Sequence, residues 1–270
     1  MSSFPVAAVQ MNSQPDLDRN MEEAHRWIAR AARGGAALTG LPEHFAFLGD
    51  EDERVRQSER ISEIVEDLLP AWAREFDTHI LGGGYPVRSE DGRVHNRAIL
   101  VDPEGRIVAR YDKMHLFDVE LSERESYRES DRVVAGTEPP PVFEAAGLAR
   151  IGLSICYDVR FPELYRGLSD RGAELLLIPS AFTRPTGRAH WEVLLRARAI
   201  ENSAYVIAPA QTGRHGATRE THGHALIVDP WGVILADAGT KPGVILAEVE
   251  MDKLRDIRSR LPALRHRVLT

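Results

Sequence analysis

The stretch from position 150 to 165 reads RIGLSICYDVRFPELY and contains the only cysteine of the chain, Cys156. Residues 151–155 alternate aliphatic and small side chains, a pattern typical of a buried strand. Pro162 and Glu163 then open a helical pattern, with proline near the first helical position and an acid in the first turn. The stretch therefore predicts a strand, a short loop and a helix, with a thiol mounted between them.

A thiol in that position would lie close to free backbone N–H groups and to the positive end of the helix dipole. Both features favour the thiolate over the thiol and can hold a developing oxyanion. On residue type alone, however, a buried structural cysteine is the commoner case. A nucleophile and an inert buried thiol therefore both fit Cys156 until the rest of the chain is considered.

The composition is that of an ordinary globular chain of 270 residues, 43% apolar and 28% charged. This length allows one large domain, residues 1–270, with a substantial core. The net charge of −7 offers no basic field to nucleic acid or to an anionic membrane surface, and no apolar run approaches the roughly 18 residues of a membrane span. A single cysteine excludes an internal disulfide framework and fits a reducing compartment. We therefore expect a cytoplasmic protein whose partners include neither nucleic acid nor membrane.

Strand and helix patterns alternate in two halves of similar plan. Each half ends in a β-hairpin with a related turn, VDPEG at 101–105 and VDPWG at 228–232. This alternation predicts an α/β fold in which two mixed sheets pack into one sandwich with helices on the outer faces. We expect Pro70 to bend or break the second helix, and the glycines at 82–84 to form a flexible turn. The predicted elements are helices near 17–33, 55–76, 162–171 and 189–202 and strands near 5–11, 36–41, 80–84, 98–101, 106–111, 151–155, 174–178, 205–208, 225–228 and 233–235.

Two charged residues follow strand patterns elsewhere in the chain. Glu43 ends the segment GLPE, and Lys113 lies in YDKMHLF. On residue type, a solvated carboxylate and a solvated lysine are the default interpretations. The strand end and the preceding proline instead place Glu43 at a rim where sites gather on α/β frameworks, and the apolar neighbours of Lys113 disfavour full solvation. Each residue alone is a weak indication of a site.

Taken together, the three segments resemble the nitrilase superfamily of carbon–nitrogen hydrolases. The glutamate in LPE, the lysine in YxKxHL and the cysteine in CYDxRFPE have the order and spacing of that family, with 70 residues from Glu43 to Lys113 and 43 from Lys113 to Cys156. The resemblance implies an α-β-β-α sandwich and a hydrolase of linear amides. It covers nearly the whole chain and continues through IPSAF at 178–182, HWEVLLRARAIE at 190–201 and GHALIVDPWG at 223–232.

The resemblance also implies a role for each residue. Cys156 would attack the amide carbonyl as a thiolate, so that a covalent acyl intermediate divides a difficult hydrolysis into two easier steps. Glu43 would take the thiol proton, pass it to the leaving amine and later activate water. Lys113 and the backbone N–H of Tyr157 would hold the tetrahedral oxyanion.

A second glutamate in the loop after the lysine often orients the lysine or the water in this family. Two RES segments fit, one around Glu129 and one around Glu125, and the spacing from Lys113 favours Glu129. The surrounding residues 118–140 form the longest irregular segment expected from the sequence, which is typical of a functional loop.

Within the superfamily, the segments DVE at 118–120 and LPALRHR at 261–267 resemble the branch that contains deaminated glutathione amidase and omega-amidase. The run QTGRH at 211–215 favours the first of these activities, which converts deaminated glutathione to 2-oxoglutarate and cysteinylglycine. Omega-amidase activity on 2-oxoglutaramate, hydrolysis of N-carbamoyl amino acids and a catalytically silent interaction module stay open as alternatives.

An anionic acyl group needs a cation in the pocket, and an arginine can bind a carboxylate through two hydrogen bonds. Arg184, Arg188 and Arg214 are the candidates, with the first two expected on a loop. Two histidines in HGH at 222–224 would face one side of a strand, but no third ligand pattern accompanies them, so we predict neither a metal nor a cofactor. The family resemblance further implies a homodimer or larger homo-oligomer, paired through helices near the nucleophile.

Overall fold

The computed structural model describes residues 3–122, 125–216 and 219–268. Its helices are α1 (Leu17–Arg33), α2 (Glu51–Arg56), α3 (Ser58–Phe76), α4 (Pro162–Asp170), α5 (Arg184–Asn202) and α6 (Met251–Arg260), with short 3₁₀ turns at Glu129–Asp131, Cys156–Arg160 and Ala263–His266. Its strands are β1 (Ser3–Met11), β2 (Leu38–Gly40), β3 (His79–Arg88), β4 (Val94–Val101), β5 (Ile107–Asp112), β6 (Asp118–Ser122), β7 (Glu125–Arg128), β8 (Val142–Glu144), β9 (Arg150–Leu153), β10 (Leu175–Leu177), β11 (Tyr205–Ala208), β12 (Ala210–His215), β13 (Arg219–His222), β14 (Leu226–Val228), β15 (Ile234–Asp237) and β16 (Gly243–Glu250).

The strands form two large mixed sheets and a separate hairpin. The first sheet has the order β13-β12-β1-β2-β3-β4-β5, and β16 also pairs with β1. The second sheet has the order β15-β14-β11-β10-β9-β8, and β6 pairs with β7 alone. Each large sheet has a parallel centre, β1-β2-β3 in one and β9-β10-β11 in the other, followed by the antiparallel hairpin expected from the sequence.

Alternating side chains of the strands separate the core into layers. In β1, Val6 and Ala8 face the second sheet, whereas Val9 and Met11 face α1 and α3. Helices α4 and α5 cover the other side of the second sheet, where their buried leucines join the same apolar cluster as β9, β10 and β11. The resulting order of helices, sheet, sheet and helices confirms the predicted α-β-β-α sandwich.

The structure differs from three local expectations. Pro70 lies inside α3 without ending it, because one missing N–H removes a single helical hydrogen bond while the buried face of the helix continues to Ala73. Helix α5 begins at Arg184 rather than near 189, with a proline at its first turn. The segment 118–140 is not wholly irregular, because it contains the β6–β7 hairpin and a 3₁₀ turn.

Across the residues that the structure describes, no helix combines the length and the apolar character needed to cross a membrane.

Candidate active site

Cys156 stands at the sharp turn between β9 and α4. Its backbone φ is +47°, in the left-handed region that non-glycine residues rarely adopt and that costs about 1–3 kcal/mol. The 3₁₀ turn Cys156–Arg160 follows directly, and α4 then begins at Pro162. The predicted order of strand, loop and helix is therefore present, with one tight turn between the cysteine and the helix. This turn presents a buried thiol, 8% exposed, to an internal cavity.

The carboxylate of Asp158 holds this turn against the segment that contains Lys113. Its Oδ2 accepts hydrogen bonds from the N–H of Ile155 and from the hydroxyl of Tyr111, both at 2.8 Å. Its Oδ1 accepts the backbone N–H of His115 at 3.2 Å and lies 2.7 Å from Nδ1 of the same residue. Because Asp158 is fully buried, these partners replace the water that the carboxylate loses on folding. The side chain thus ties two parts of the cavity wall together.

Glu43 enters the same cavity just beyond the end of β2. Its Oε1 accepts a hydrogen bond from Nδ2 of Asn96, and its Oε2 accepts one from the backbone N–H of Ala181, both at 2.9 Å. A Cβ at Gly83 would overlap with the carbonyl oxygens of the two residues before Glu43. The glycine run therefore does not form the expected flexible turn. It lies within β3 and gives the chain around Glu43 room to approach that strand.

Lys113 lies between two carboxylates. Its Nζ is 3.2 Å from Oε1 of Glu43 and 3.0 and 2.8 Å from the two oxygens of Glu129. Glu129 also accepts the backbone N–H of Phe117 at 2.7 Å, which fixes the orientation of its carboxylate. Of the two glutamates that the sequence offered, Glu129 is thus in contact with the lysine, while the side chain of Glu125 lies outside the described residues.

Burial and mutual charge set the protonation of this cluster. Burial would raise the pKa of Glu43, but the positive charge of Lys113 and the other polar neighbours of this carboxylate together outweigh that effect and hold the pKa well below its usual range. Burial would lower the pKa of Lys113, yet the charges of Glu129 and Glu43 keep it above its usual range. Burial, together with the Glu43 carboxylate within hydrogen-bonding reach, raises the pKa of the Cys156 thiol. The resting site therefore contains a carboxylate, an ammonium and a thiol.

The expectation that the turn favours a thiolate is wrong for this resting site. The favourable effects are present, since Lys113 and a backbone hydrogen bond from Ala181 both lower the pKa of Cys156. They are smaller than the cost of placing a second negative charge beside Glu43 in a buried site.

The backbone N–H of Tyr157 directly follows the nucleophile in the chain. No hydrogen-bond acceptor for it occurs within residues 3–122, 125–216 and 219–268. The ring of Tyr157 packs edge-on against Phe117 and Phe161, with ring centroids 5.0 and 5.4 Å apart. Together with Tyr127 and Phe182, Phe117 and Tyr157 give the cavity an aromatic wall beside the charged cluster.

The three arginines nominated as carboxylate partners do not line this cavity. Arg184 is in the first turn of α5, and its side chain is 56% exposed and paired with Glu220 at 2.7 Å. Arg188 and Arg214 are exposed as well. None of the three side chains therefore lines the cavity that contains the thiol, and the structure gives no support to the predicted substrate contact. The arginines that do line the cavity are Arg54, Arg128, Arg132 and Arg219.

Within the part of the chain that the structure describes, no group of three or more histidine, cysteine, aspartate or glutamate side chains is arranged to hold a metal ion. His224, from the HGH segment, lies 3.0 Å from a carboxylate oxygen of Asp237. Glu43 and Glu129 already accept hydrogen bonds from Lys113 and from backbone N–H groups. These two carboxylates are therefore arranged around an ammonium.

A sequence profile described as carbon-nitrogen hydrolase matches residues 5–259. The chain belongs to the carbon–nitrogen hydrolase family. A protein from Synechocystis sp. named Deaminated glutathione amidase is 53% identical to this hydrolase over 270 residues, which cover 99% of both chains.

Two solved structures extend the comparison. Nit3 from Saccharomyces cerevisiae, described as a member of branch 10 of the nitrilase superfamily, has a TM-score of 0.88 and 28% identity, covering 99% of this chain and 97% of its own. An amidase mutant from Nesterenkonia sp. AN1, described with acrylamide added to its active site cysteine, has a TM-score of 0.80 and 28% identity, covering 96% of this chain and 98% of its own. Fold and sequence thus agree on the nitrilase superfamily and on an enzyme that hydrolyses carbon–nitrogen bonds.

Three residues at or beside the cavity of this hydrolase have no recognisable pattern in the sequence. Asn96 contacts both Glu43 and Glu129, at 2.9 and 3.5 Å. It lies in the middle of β4, and an isolated asparagine in a strand pattern gives no indication that it faces a site. Arg54 and Arg219 come from α2 and β13, which meet only in the folded chain. A pattern within one segment could not have identified them.

Proposed function

We propose that this hydrolase cleaves the amide bond of deaminated glutathione through a thioester on Cys156, releasing cysteinylglycine and 2-oxoglutarate. The observation that carries the proposal is the convergence of three distant residues, with the Glu43 carboxylate in reach of the Cys156 thiol and 3.2 Å from Nζ of Lys113. The high identity to the Synechocystis protein supports the choice of substrate.

In the acylation step, Sγ of Cys156 attacks the amide carbonyl carbon while its proton passes to Glu43. The carbonyl oxygen becomes an oxyanion, which Nζ of Lys113 and the backbone N–H of Tyr157 stabilise. Glu43 then transfers the proton to the amide nitrogen, the C–N bond breaks, and cysteinylglycine leaves. The acyl group stays on the sulfur as a thioester.

In the deacylation step, Glu43 takes a proton from water, and the resulting hydroxide attacks the thioester carbonyl. A second tetrahedral oxyanion forms at the same position and collapses as the C–S bond breaks. The proton held by Glu43 returns to the sulfur, so the enzyme regains its resting carboxylate and thiol. Proton and leaving group balance over the cycle, and Lys113 remains an ammonium throughout.

The protonation of the resting site indicates when the proton moves. A thiol of raised pKa beside a carboxylate of lowered pKa does not transfer its proton in the empty site. When the thiol attacks a carbonyl, Glu43 gains the thiol proton and loses its negative charge. The oxyanion that forms next to Lys113 replaces that charge as the partner of the ammonium. Proton transfer is therefore coupled to attack on bound substrate, which keeps the thiol unreactive when the site is empty.

The proposal is tested by measuring kcat/KM for deaminated glutathione, 2-oxoglutaramate and an N-carbamoyl amino acid. We expect deaminated glutathione to be preferred, because only this substrate offers a cysteinylglycine group for the cavity mouth to contact. Equal values for the first two amides would assign omega-amidase activity instead. Turnover of the N-carbamoyl amino acid alone would refute the proposed substrate and leave the family chemistry.

We further propose a cytoplasmic homodimer or larger homo-oligomer. The sole cysteine is unpaired, as expected in a reducing compartment. Val193 and Ile200 on α5 are 67% and 47% exposed, and Trp231 and Val233 on the neighbouring hairpin are 60% and 50% exposed. These side chains form an apolar surface on α5 and the hairpin that a second copy would cover. Light scattering should give at least twice the chain mass, and Val193→Glu should lower it.

A further inference from the structure

Arg54 is a buried guanidinium with too few partners. Its side chain, supplied by α2, is 2% exposed and contacts the carboxylate of Glu51 through Nη2. Its Nε and Nη1 are buried and have no hydrogen-bond partner among the residues that the structure describes. Since Arg54 lines the cavity, these two donors are available to a molecule bound there.

Arg219 approaches the same place from β13. Its Nη1 lies 3.3 Å from Oε1 of Glu51, and its buried Nε likewise has no partner within the described residues. One carboxylate, Glu51, is therefore shared by two guanidinium groups. His44 lines the same region, but burial lowers its pKa to about 3, so its ring is neutral and supplies no further charge. The two guanidinium groups therefore share a single carboxylate partner and retain free donors.

We propose that Arg54 and Arg219 form the subsite that binds the carboxylate of the substrate's acyl group. Guanidinium groups with several free N–H donors bind carboxylates in a fixed orientation, and they are the residues expected where a small anionic group is recognised. The inference rests on the proposed function, since it names the residues that would recognise a 2-oxo acid amide.

The position of the pair favours the acyl group over the leaving group. Arg54 is close enough to Glu43 and Glu129 for each to stabilise its charge, so it lies near the reacting atoms. The acyl group stays on the enzyme as a thioester until water attacks, so it suits the enclosed part of the cavity. The leaving dipeptide must depart, and the exposed Arg128 at the cavity edge is better placed to meet its carboxylate.

Arg54 and Arg219 also differ from Arg132, another arginine of the cavity. Arg132 lines the cavity, but its Nε donates to Asp52 at 3.0 Å and its Nη1 to Asp131 at 3.3 Å. Two nearby carboxylates therefore already use its donors, and its side chain is 39% exposed. Arg54 combines deep burial with unused donors, which is the combination that a specific anion site requires.

The test compares two amides, 2-oxoglutaramate and 4-oxopentanamide. The second has a methyl group where the first has its carboxylate. We expect Arg54→Met and Arg219→Met each to lower kcat/KM for 2-oxoglutaramate by about 10- to 100-fold, the effect of one charged hydrogen bond, with the larger part in KM. The kcat/KM for 4-oxopentanamide should change less than about threefold, because this amide has no carboxylate for the arginines to bind. Arg184→Met is the matched control, and it should leave both substrates unchanged.

A binding measurement makes the test independent of turnover. Cys156→Ala protein should bind 2-oxoglutarate in a calorimeter, and adding Arg54→Met or Arg219→Met should weaken that binding by a similar factor. If Arg54→Met does not fold, as judged by its thermal transition, Arg219→Met provides both readouts.

Equal losses for the two amides, or unchanged binding of 2-oxoglutarate, would overturn the subsite. A loss confined to deaminated glutathione, with 2-oxoglutaramate unaffected, would overturn it as well, since it would assign the arginines to the leaving dipeptide. Arginine-dependent binding of 2-oxoglutarate by a protein that hydrolyses no amide would refute the proposed function and retain the subsite.

Discussion

The carboxylate of Glu129 lies 2.8 Å from Nζ of Lys113 and leaves that ammonium 3.2 Å from Glu43. A lysine with four flexible bonds would otherwise sample many positions, and a salt bridge fixed by a backbone N–H restricts it to one. The proposed oxyanion site therefore depends on a residue that need not touch the substrate.

We expect Glu129→Gln to lower kcat by about 100-fold, the effect of a small misplacement of a reacting or stabilising group. KM should change less than kcat, because Glu129 acts on the reaction through Lys113. Steady-state kinetics with 2-oxoglutaramate separate the two constants. Glu125→Gln is the paired variant, and a larger loss of kcat there than at Glu129 would reverse the assignment of the second glutamate.

The pH dependence of kcat/KM should be flat from about pH 5 to about pH 9. The lowered pKa of Glu43 keeps the carboxylate ionised well below the usual range of glutamate, and the raised pKa of Cys156 keeps the thiol protonated well above neutrality. Both groups thus keep their active form across this window. An acid limb with a midpoint near 6.5 would instead indicate a histidine base, and would contradict the role given to Glu43.

Gly83→Ala should destabilise the protein by about 1–3 kcal/mol, because the added methyl group overlaps with backbone oxygens that cannot move independently. Gly167→Ala is the control, since α4 leaves open space around that position and an alanine there should add about 0.5–1 kcal/mol of stability. Urea unfolding of both variants gives the comparison. Equal stability of Gly83→Ala and the parent protein would show that β3 does not need this close approach.

Asp158→Asn should cost about 1.5–3 kcal/mol, because the buried carboxylate accepts hydrogen bonds from Tyr111, Ile155 and His115 and the amide cannot accept all of them. Asp170→Asn, which breaks an exposed ion pair with Arg267, should cost less than about 1 kcal/mol. Thermal unfolding checks the pair. Similar losses at the two sites would mean that Asp158 does not hold the nucleophile turn.

The sequence could predict those parts of the site that depend on local pattern. The alternation before Cys156 and the proline after it predicted the turn, and motif order predicted that Glu43 and Lys113 would meet it. The sequence did not show where the three candidate arginines lie, because Arg184 was expected on a loop and instead begins a helix with its side chain paired to Glu220. Local pattern cannot show which side of a helix faces a distant cavity.

The protonation of Cys156 was equally out of reach of the sequence. A strand-to-helix turn favours a thiolate wherever it occurs, but the pKa also depends on burial and on the distance to Glu43, which is 113 positions earlier in the chain. The same holds for Asn96, whose contact with two glutamates arises from the pairing of β3 with β4. Contacts between residues far apart in the sequence therefore determine both the protonation of Cys156 and the partners of Asn96.

The central claim is the thioester on Cys156, and mass spectrometry of acid-quenched protein tests it most directly. During turnover of deaminated glutathione, the intact protein should gain the mass of one 2-oxoglutaryl group in place of one hydrogen, and peptide mapping should place it on Cys156. Cys156→Ala protein, which leaves at most a small cavity and should fold normally, should show no adduct and no turnover. Substantial hydrolysis by folded Cys156→Ala protein, or an acyl group on another residue, would contradict the mechanism.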